Sequence, residues 1–214
     1  MSLAIILPVV VLAAGALVAS AGFAVREHRR ARGLAEDLSA ARTEATLLER
    51  RDDHTGLFNS RFFVEALTRE IERARTYDRP VALALASVDD VAPDEVEASM
   101  RTLGAAIGGS VRALDVACRV GTTEFGVIMP ETDSRSASVA SERMLRAIAR
   151  ARTEGGSMPQ AAVGIAACPA HAESFDELVE RAGSALRSAR RAVRSEPVKP
   201  GTVPVAMAVW DDED

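Results

Sequence analysis

Arg119-Val120-Gly121-Thr122-Thr123-Glu124-Phe125 is the stretch that decides how this chain folds. Apolar residues alternate from Leu114 to Val120 and run again from Phe125 to Met129, and Gly121 gives the link the freedom that a tight reversal needs. The pattern predicts a β-hairpin with Thr122, Thr123 and Glu124 at its tip.

Outward from this hairpin, Val81 to Val88 predicts a covered strand in which Val81, Leu83 and Leu85 alternate with small alanines. Residues 94–107 predict a helix, and so does the run from Ser134 to Arg152. Glu154-Gly155-Gly156 then breaks the chain, and Ala161 to Ala167 predicts another strand. On the amino-terminal side, Asp52-Asp53-His54-Thr55-Gly56-Leu57-Phe58-Asn59 is a turn. Phe63, Leu67, Ile71 and Ala74 mark one face of the helix after it. The last helix starts at Ser174, where Ser174 and Glu177 make a capping-box pattern, and buries Leu178, Ala182, Ala185 and Leu186. Pro197, Pro200, Pro204 and an acidic end predict a disordered tail over 196–214, in which Val205 to Trp210 is suited to docking.

An apolar content of 48% is enough for one packed core over 53–195. Aromatic residues make up only 4%, which argues against a stacking platform for single-stranded nucleic acid. The net charge of −5 likewise gives no reason to expect a nucleic-acid partner. Cys118 and Cys168 lie in apolar runs without CxxC spacing, so they read as buried reduced thiols, not as a metal or disulfide pair.

Residues 2–25 carry no charge and are long enough to cross a bilayer, while Arg26, Arg29, Arg30 and Arg32 follow at once. This predicts a single-pass anchor over 1–25 in the cell (inner) membrane, with the amino terminus outside and the rest cytoplasmic. Ala19, Ala21 and Ala24 would suit a cleavable signal peptide, but no basic residue precedes the apolar run. Residues 26–52 predict a helical linker in which Leu34, Leu38, Ala41, Ala45 and Leu48 follow 4-3-4-3 spacing, a short seam able to pair two chains as a homodimer.

Four strings, in order, resemble the GGDEF family, bacterial signalling domains of the diguanylate cyclases. The run from Asp52 to Arg61 resembles D-x-L-T-G-L-x-N-R-R, and Arg119 to Phe125 sits where R-Y-G-G-[DE]-E-F belongs. Ala162-Val163-Gly164-Ile165-Ala166 resembles S-I-G-V-A, and Arg181 to Arg190 resembles x-A-D-x-A-L-Y-x-A-K. The resemblance implies an α+β palm fold like that of nucleotidyl cyclases, with a central, mostly antiparallel sheet flanked by helices.

It also implies a chemistry that this chain departs from. Family members condense two GTP molecules across a face-to-face dimer, and divalent ions held by carboxylates offset the phosphate charge. The positions that supply those carboxylates are Ser87 and Thr123 here, which leaves Asp89 and Glu124 nearby, and the second glycine of the signature is Thr122. The family's guanine-binding loop has no counterpart; Val91-Ala92-Pro93-Asp94 stands in its place. Arg190 and Arg194 align with phosphate-contacting residues, though an Arg-rich helix also makes a solvated face. No catalytic residue, metal or cofactor is therefore expected; magnesium enters only if a rearranged site on Asp89 and Glu124 keeps cyclase activity.

A second family feature survives. Arg112-Ala113-Leu114-Asp115 stands five residues before Gly121 and matches the R-x-x-D inhibitory site for cyclic di-GMP, and Arg143 falls where the family places a second arginine of that site. Guanidinium forks suit phosphate and the guanine Hoogsteen edge, and a carboxylate suits guanine N1 and N2. Alternatively, Arg112 and Asp115 only bond locally at a turn. Three readings stay open: a non-catalytic cyclic di-GMP receptor, a structural dimerisation or protein-interaction domain with an unnamed partner, and a cyclase with a rearranged metal site.

Overall fold

The computed structural model describes residues 50–89, 91–151, 160–195 and 205–210. The chain divides into two units, Met1–Glu49 and Arg50–Asp214, and the described residues all belong to the second. The anchor predicted over 1–25 and the seam predicted from Leu34 to Leu48 lie outside the described residues. Among the described residues, no helix is long and apolar enough to cross a membrane.

In chain order the elements are α1 (Ser60–Tyr77), β1 (Val81–Asp89), α2 (Val96–Ser110), β2 (Val116–Arg119), β3 (Glu124–Pro130), α3 (Ser134–Arg150), β4 (Gln160–Cys168), α4 (Phe175–Ser195) and β5 (Val205–Val209). The strands make one sheet in the order β2-β3-β1-β4-β5. β1 lies between β3 and β4 and runs antiparallel to both, β2 pairs antiparallel with β3, and β5 runs parallel to β4. This is the mostly antiparallel α+β sheet that the resemblance implied.

Local chemistry sets the element ends. Asn59 caps α1 by accepting from the Phe62 N–H, and Asp133 caps α3 by accepting from the Ser136 N–H at 2.7 Å. At α4 the Ser174 hydroxyl accepts from the Glu177 N–H, as the capping box predicts. The Glu177 carboxylate, however, reaches back to the amide of Glu173, one residue before the expected Ser174.

The alternation of β1 divides the core. Ala82, Ala84, Ala86 and Val88 face α2 and α3, meeting Met100, Leu103, Ile107 and Ile148. Val81 and Leu83 face α1 and α4, meeting Phe63, Leu67 and Leu178. Cys118 and Cys168 are both free and buried in this second cluster, and burial pushes the Cys118 thiol up to about 12, which makes it inert.

Two boundaries differ from expectation. Arg51 bridges to Phe58, and Asp52 exchanges backbone hydrogen bonds with Gly56 and Leu57, so residues 50–52 already belong to the domain. The tail expected to be disordered over 196–214 contains β5 instead. There the Trp210 N–H donates to the Ile165 carbonyl at 2.8 Å, and the Arg181 guanidinium lies 5.9 Å from the Trp210 ring. The outer edge of β4 offers a row of backbone donors and acceptors, and a short strand of Val and Ala satisfies them.

Helix α4 lies directly on β4 at Gly164. A Cβ added there meets the Leu186 amide nitrogen, the Ala182 carbonyl oxygen and, at 2.6 Å, the Leu186 Cα. Those are backbone atoms that cannot rotate away. Gly164→Val is expected to lower the unfolding free energy by roughly 3 kcal/mol or more, read by urea denaturation of the purified chain. A loss under about 1 kcal/mol would mean that α4 does not seat on this glycine.

Candidate functional site

Arg119 ends β2 and is only 8% exposed, so its charge needs partners. Its guanidinium makes two bonds to Glu97 of α2, at 3.1 and 3.2 Å, and one contact of 3.5 Å to Asp52. It also donates to the Gly121 carbonyl at 3.2 Å and to the Thr122 carbonyl at 2.9 Å. Burial works against its charge, but Glu97 and Asp52 outweigh it and hold the guanidinium above its ordinary pKa. Burial likewise works to raise the Asp52 carboxyl, but the Thr55 hydroxyl, the Thr55 amide and Arg119 leave it below the usual carboxylate range. The hydrogen bonds from Arg119 lower Glu97, which also meets His54 Nδ1 at 3.0 Å.

The hairpin tip is thus fixed through its backbone. The Val120 N–H donates to the Glu124 carbonyl, and the Thr123 carbonyl accepts from Val88 of β1 at 3.0 Å. This sets Thr123 against the end of β1, where Ser87 pairs with Glu124 and is buried. The two positions that the resemblance assigns to metal-binding carboxylates are therefore neighbours, and both carry neutral hydroxyls. Thr122 is exposed beside them.

Asp89 does not stand free next to this turn. Arg190 grips it at 3.1 and 2.8 Å, and Arg194 reaches it at 3.5 Å, both from the last turns of α4. The arginines aligned with phosphate-contacting residues are thus turned onto the chain's own carboxylate. Glu124 is exposed and folds back over Gly121, where an added Cβ would lie 2.9 Å from its carboxylate oxygen. No group of three His, Cys, Asp or Glu able to hold a metal occurs among the described residues. One open carboxylate beside one already neutralised by guanidinium fits a divalent ion poorly, so no catalytic step is derived through magnesium. A cleft of about 640 Å³ between α1, α4 and the hairpin has Phe63, Leu85, Phe125 and Leu186 at its base and neither Asn nor Asp in its lining.

Arg112, Asp115 and Arg143 do come together. The Arg112 amide donates to Asp115 Oδ2 at 2.8 Å, and the Asp115 amide donates to the Arg112 carbonyl at 3.0 Å, so the four residues close a turn between α2 and β2. Because that turn starts β2 at Val116, the hairpin's first strand begins two residues later than predicted. Arg143, from α3, donates through Nε to the Ser110 carbonyl at 2.6 Å, and Asp115 and Arg143 line one small cavity. These bonds use the backbone of Arg112, one Asp115 oxygen and one Arg143 nitrogen. Among the described residues, the Arg112 guanidinium, the Arg143 terminal amines and Asp115 Oδ1 carry no other hydrogen bond.

The role of Arg119 was not visible in the sequence. Its motif position and the turn from Asp52 to Asn59 were, but Glu97 is 22 residues away and has no motif.

Comparison with known proteins agrees with the fold. Residues 49–196 match the family model described as "Diguanylate cyclase, GGDEF domain". The chain is 24% identical over 178 residues to cyclic di-GMP phosphodiesterase NbdA of Pseudomonas aeruginosa, a match covering 79% of this chain and 23% of that protein. It is 28% identical over 160 residues to response regulator PleD of Caulobacter vibrioides, covering 67% of this chain and 34% of that one. The chain thus spans about a third or less of the length of these relatives. The crystal structure of the coiled coil and GGDEF domain of DgcB from Caulobacter crescentus, in complex with c-di-GMP, superposes with a TM-score of 0.68. It is 22% identical and covers 85% of this chain and 98% of that one, a likeness of fold.

The Arg119 cluster has a pH signature. Asp52 and Glu97 have depressed folded values, so their contribution is complete above the unfolded carboxylate range and is lost as pH falls through the folded values. Arg119→Met is expected to cost roughly 2–4 kcal/mol at neutral pH. It should also flatten the fall of Tm between about pH 6 and pH 3, measured by thermal melts. Parallel Tm curves for the two proteins would show that the cluster does not couple to folding.

Proposed function

The chain belongs to the GGDEF family, and from that premise we propose that it is a membrane-anchored, non-catalytic signalling domain that binds cyclic di-GMP at Arg112, Asp115 and Arg143. One observation carries this reading. The turn from Arg112 to Asp115 and Arg143 stand together with the Arg112 guanidinium, the Arg143 terminal amines and one carboxylate oxygen uncommitted, whereas Asp89 at the hairpin is committed to Arg190 and Arg194. Binding needs open, preorganised polar groups, which the first site has. Metal-assisted condensation needs several open carboxylates, and at the second site Glu124 is open while Asp89 is paired.

Dissimilar roles for the two sites follow from charge. A cyclic dinucleotide brings two phosphates and two guanine edges, which match forked cations next to a carboxylate acceptor. Triphosphate condensation without acidic side chains to hold cations has nothing to offset the charge of the α-phosphate. The DgcB structure holds c-di-GMP on the same fold, which supports the choice of ligand. In this reading the anchor over 2–25 keeps the domain at the cytoplasmic face of the membrane, and pairing of two copies through the preceding seam transmits the bound state.

A second reading has its own observation. Leu114, within the same turn, and Val139, one helical turn before Arg143 on α3, are 54% and 60% exposed, so the surface also suits a protein partner and a purely structural role. Titration separates the two. Cyclic di-GMP added to the purified full chain should release measurable heat, and Arg143→Ala should weaken binding roughly tenfold or more. The absence of heat would favour the interaction domain. Incubation with GTP and magnesium should yield no cyclic di-GMP; accumulation of that product would restore the cyclase reading.

A further inference from the structure

Along one face of α4 the charge changes sign half-way. Asp176, Glu180, Gly183, Arg187 and Arg191 follow one another at spacings of four, three, four and four residues, which sets them in a single stripe, and its four charged members are exposed. The middle of the stripe is bare. Gly183 and Ser184 lie there, with Glu180 and Arg187 three residues to either side of them and Asp176 and Arg191 seven. The helix dipole favours an acid in the first turn, so it accounts for Asp176 but not for Glu180 and Arg187, which are mid-helix. Nor can those two pair on their own helix. The positions three and four residues after Glu180, and three and four before Arg187, are Gly183 and Ser184 themselves. Among the described residues, Asp176, Glu180 and Arg187 carry no hydrogen bond or ion pair, and Arg191 bonds only the Ser188 hydroxyl, at 2.7 Å.

We propose that this face of α4 pairs antiparallel with the same face of a second copy of the chain, the two helices crossing at Gly183 and Ser184. Each acid then meets a base: Glu180 of one copy lies against Arg187 of the other, Asp176 lies against Arg191, and the two-fold axis repeats both contacts. A Cβ added to Gly183 would have one atom within 4 Å, a terminal nitrogen of Arg187 at 3.5 Å, so the space over the crossing is open to a neighbour. Glycine inside a helix costs about 1 kcal/mol relative to alanine, and close approach of a second helix offsets that cost. Exposed ion pairs contribute about 1 kcal/mol or less each, so here they set direction and register. The cohesion is apolar. Val179 of α4 and Val64 of α1, the latter 48% exposed, line the same cleft as Gly183, and the second helix covers them. The contact uses neither the seam read from Leu34 to Leu48 nor the turn from Arg112 to Asp115.

Cross-linking tests it on the full chain. Two thiols near the crossing come within disulfide reach, about 4–7 Å between Cα atoms, whereas the native Cys118 and Cys168 are buried. Ser184→Cys is oxidised and covalent dimer is read on a non-reducing gel, with Val139→Cys, exposed on α3, as the control. Ser184→Cys should cross-link roughly tenfold more than the control. Adding Glu180→Arg or Arg187→Glu should set like charges against each other and lower the yield roughly tenfold. A mixture of those two variants should regain it, because each then meets its opposite. If Ser184→Cys cross-links no better than Val139→Cys, if neither charge reversal lowers the yield, or if mixing restores nothing, the antiparallel pairing is overturned, and the cyclic di-GMP reading is untouched.

Discussion

Arg119 reaches three separate parts of the domain from one buried position: Asp52 in the opening turn, Glu97 on α2, and the carbonyls of Gly121 and Thr122 at the hairpin tip. A buried guanidinium is tolerated only when its donors are matched, so these elements must assemble together or not at all. Because Arg119 and β1 hold the tip by backbone atoms, its shape does not depend on the side chains there. Thr122 and Thr123 can therefore stand at the tip while the hairpin keeps its register with β1.

The separation of fold from chemistry follows from this. A turn held by its backbone keeps its shape whichever side chains stand on it, and of the two nearby carboxylates Asp89 is taken up within the domain while Glu124 stays exposed. Asp89 closes β1 and is clamped by arginines from the far end of α4, an arrangement that joins the edge of the sheet to the last helix. Guanidinium groups there do for the fold what a cation would otherwise do for the charge.

The opposite face keeps its polar groups open. The turn from Arg112 to Asp115 closes itself through its own backbone, and α3 brings Arg143 beside it. A site made this way is rigid where it is bonded and free where it could meet a ligand. The paired charges near the hairpin and the spare groups at the turn thus belong to different parts of the sheet.

Much of this was legible in the chain. The hairpin around Gly121, the covered strand of β1, the cap at Ser174 and the turn from Arg112 to Asp115 follow from periodicity, turn chemistry or motif spacing, which are local properties, whereas Arg143 was placed beside that turn by the family resemblance alone. The partners of Asp89 were not legible, since Arg190 lies 101 residues away and an Arg-rich helix reads equally well as a solvated face. Nor were the bond of Glu97 to Arg119 or the strand at Val205–Val209. The sequence by itself determined most of the helices and strands and which residue types stand at the hairpin tip. Only the tertiary structure decided which charges neutralise one another and which edge the tail covers, because those pairings depend on the order of strands in the sheet and on the helices laid across it.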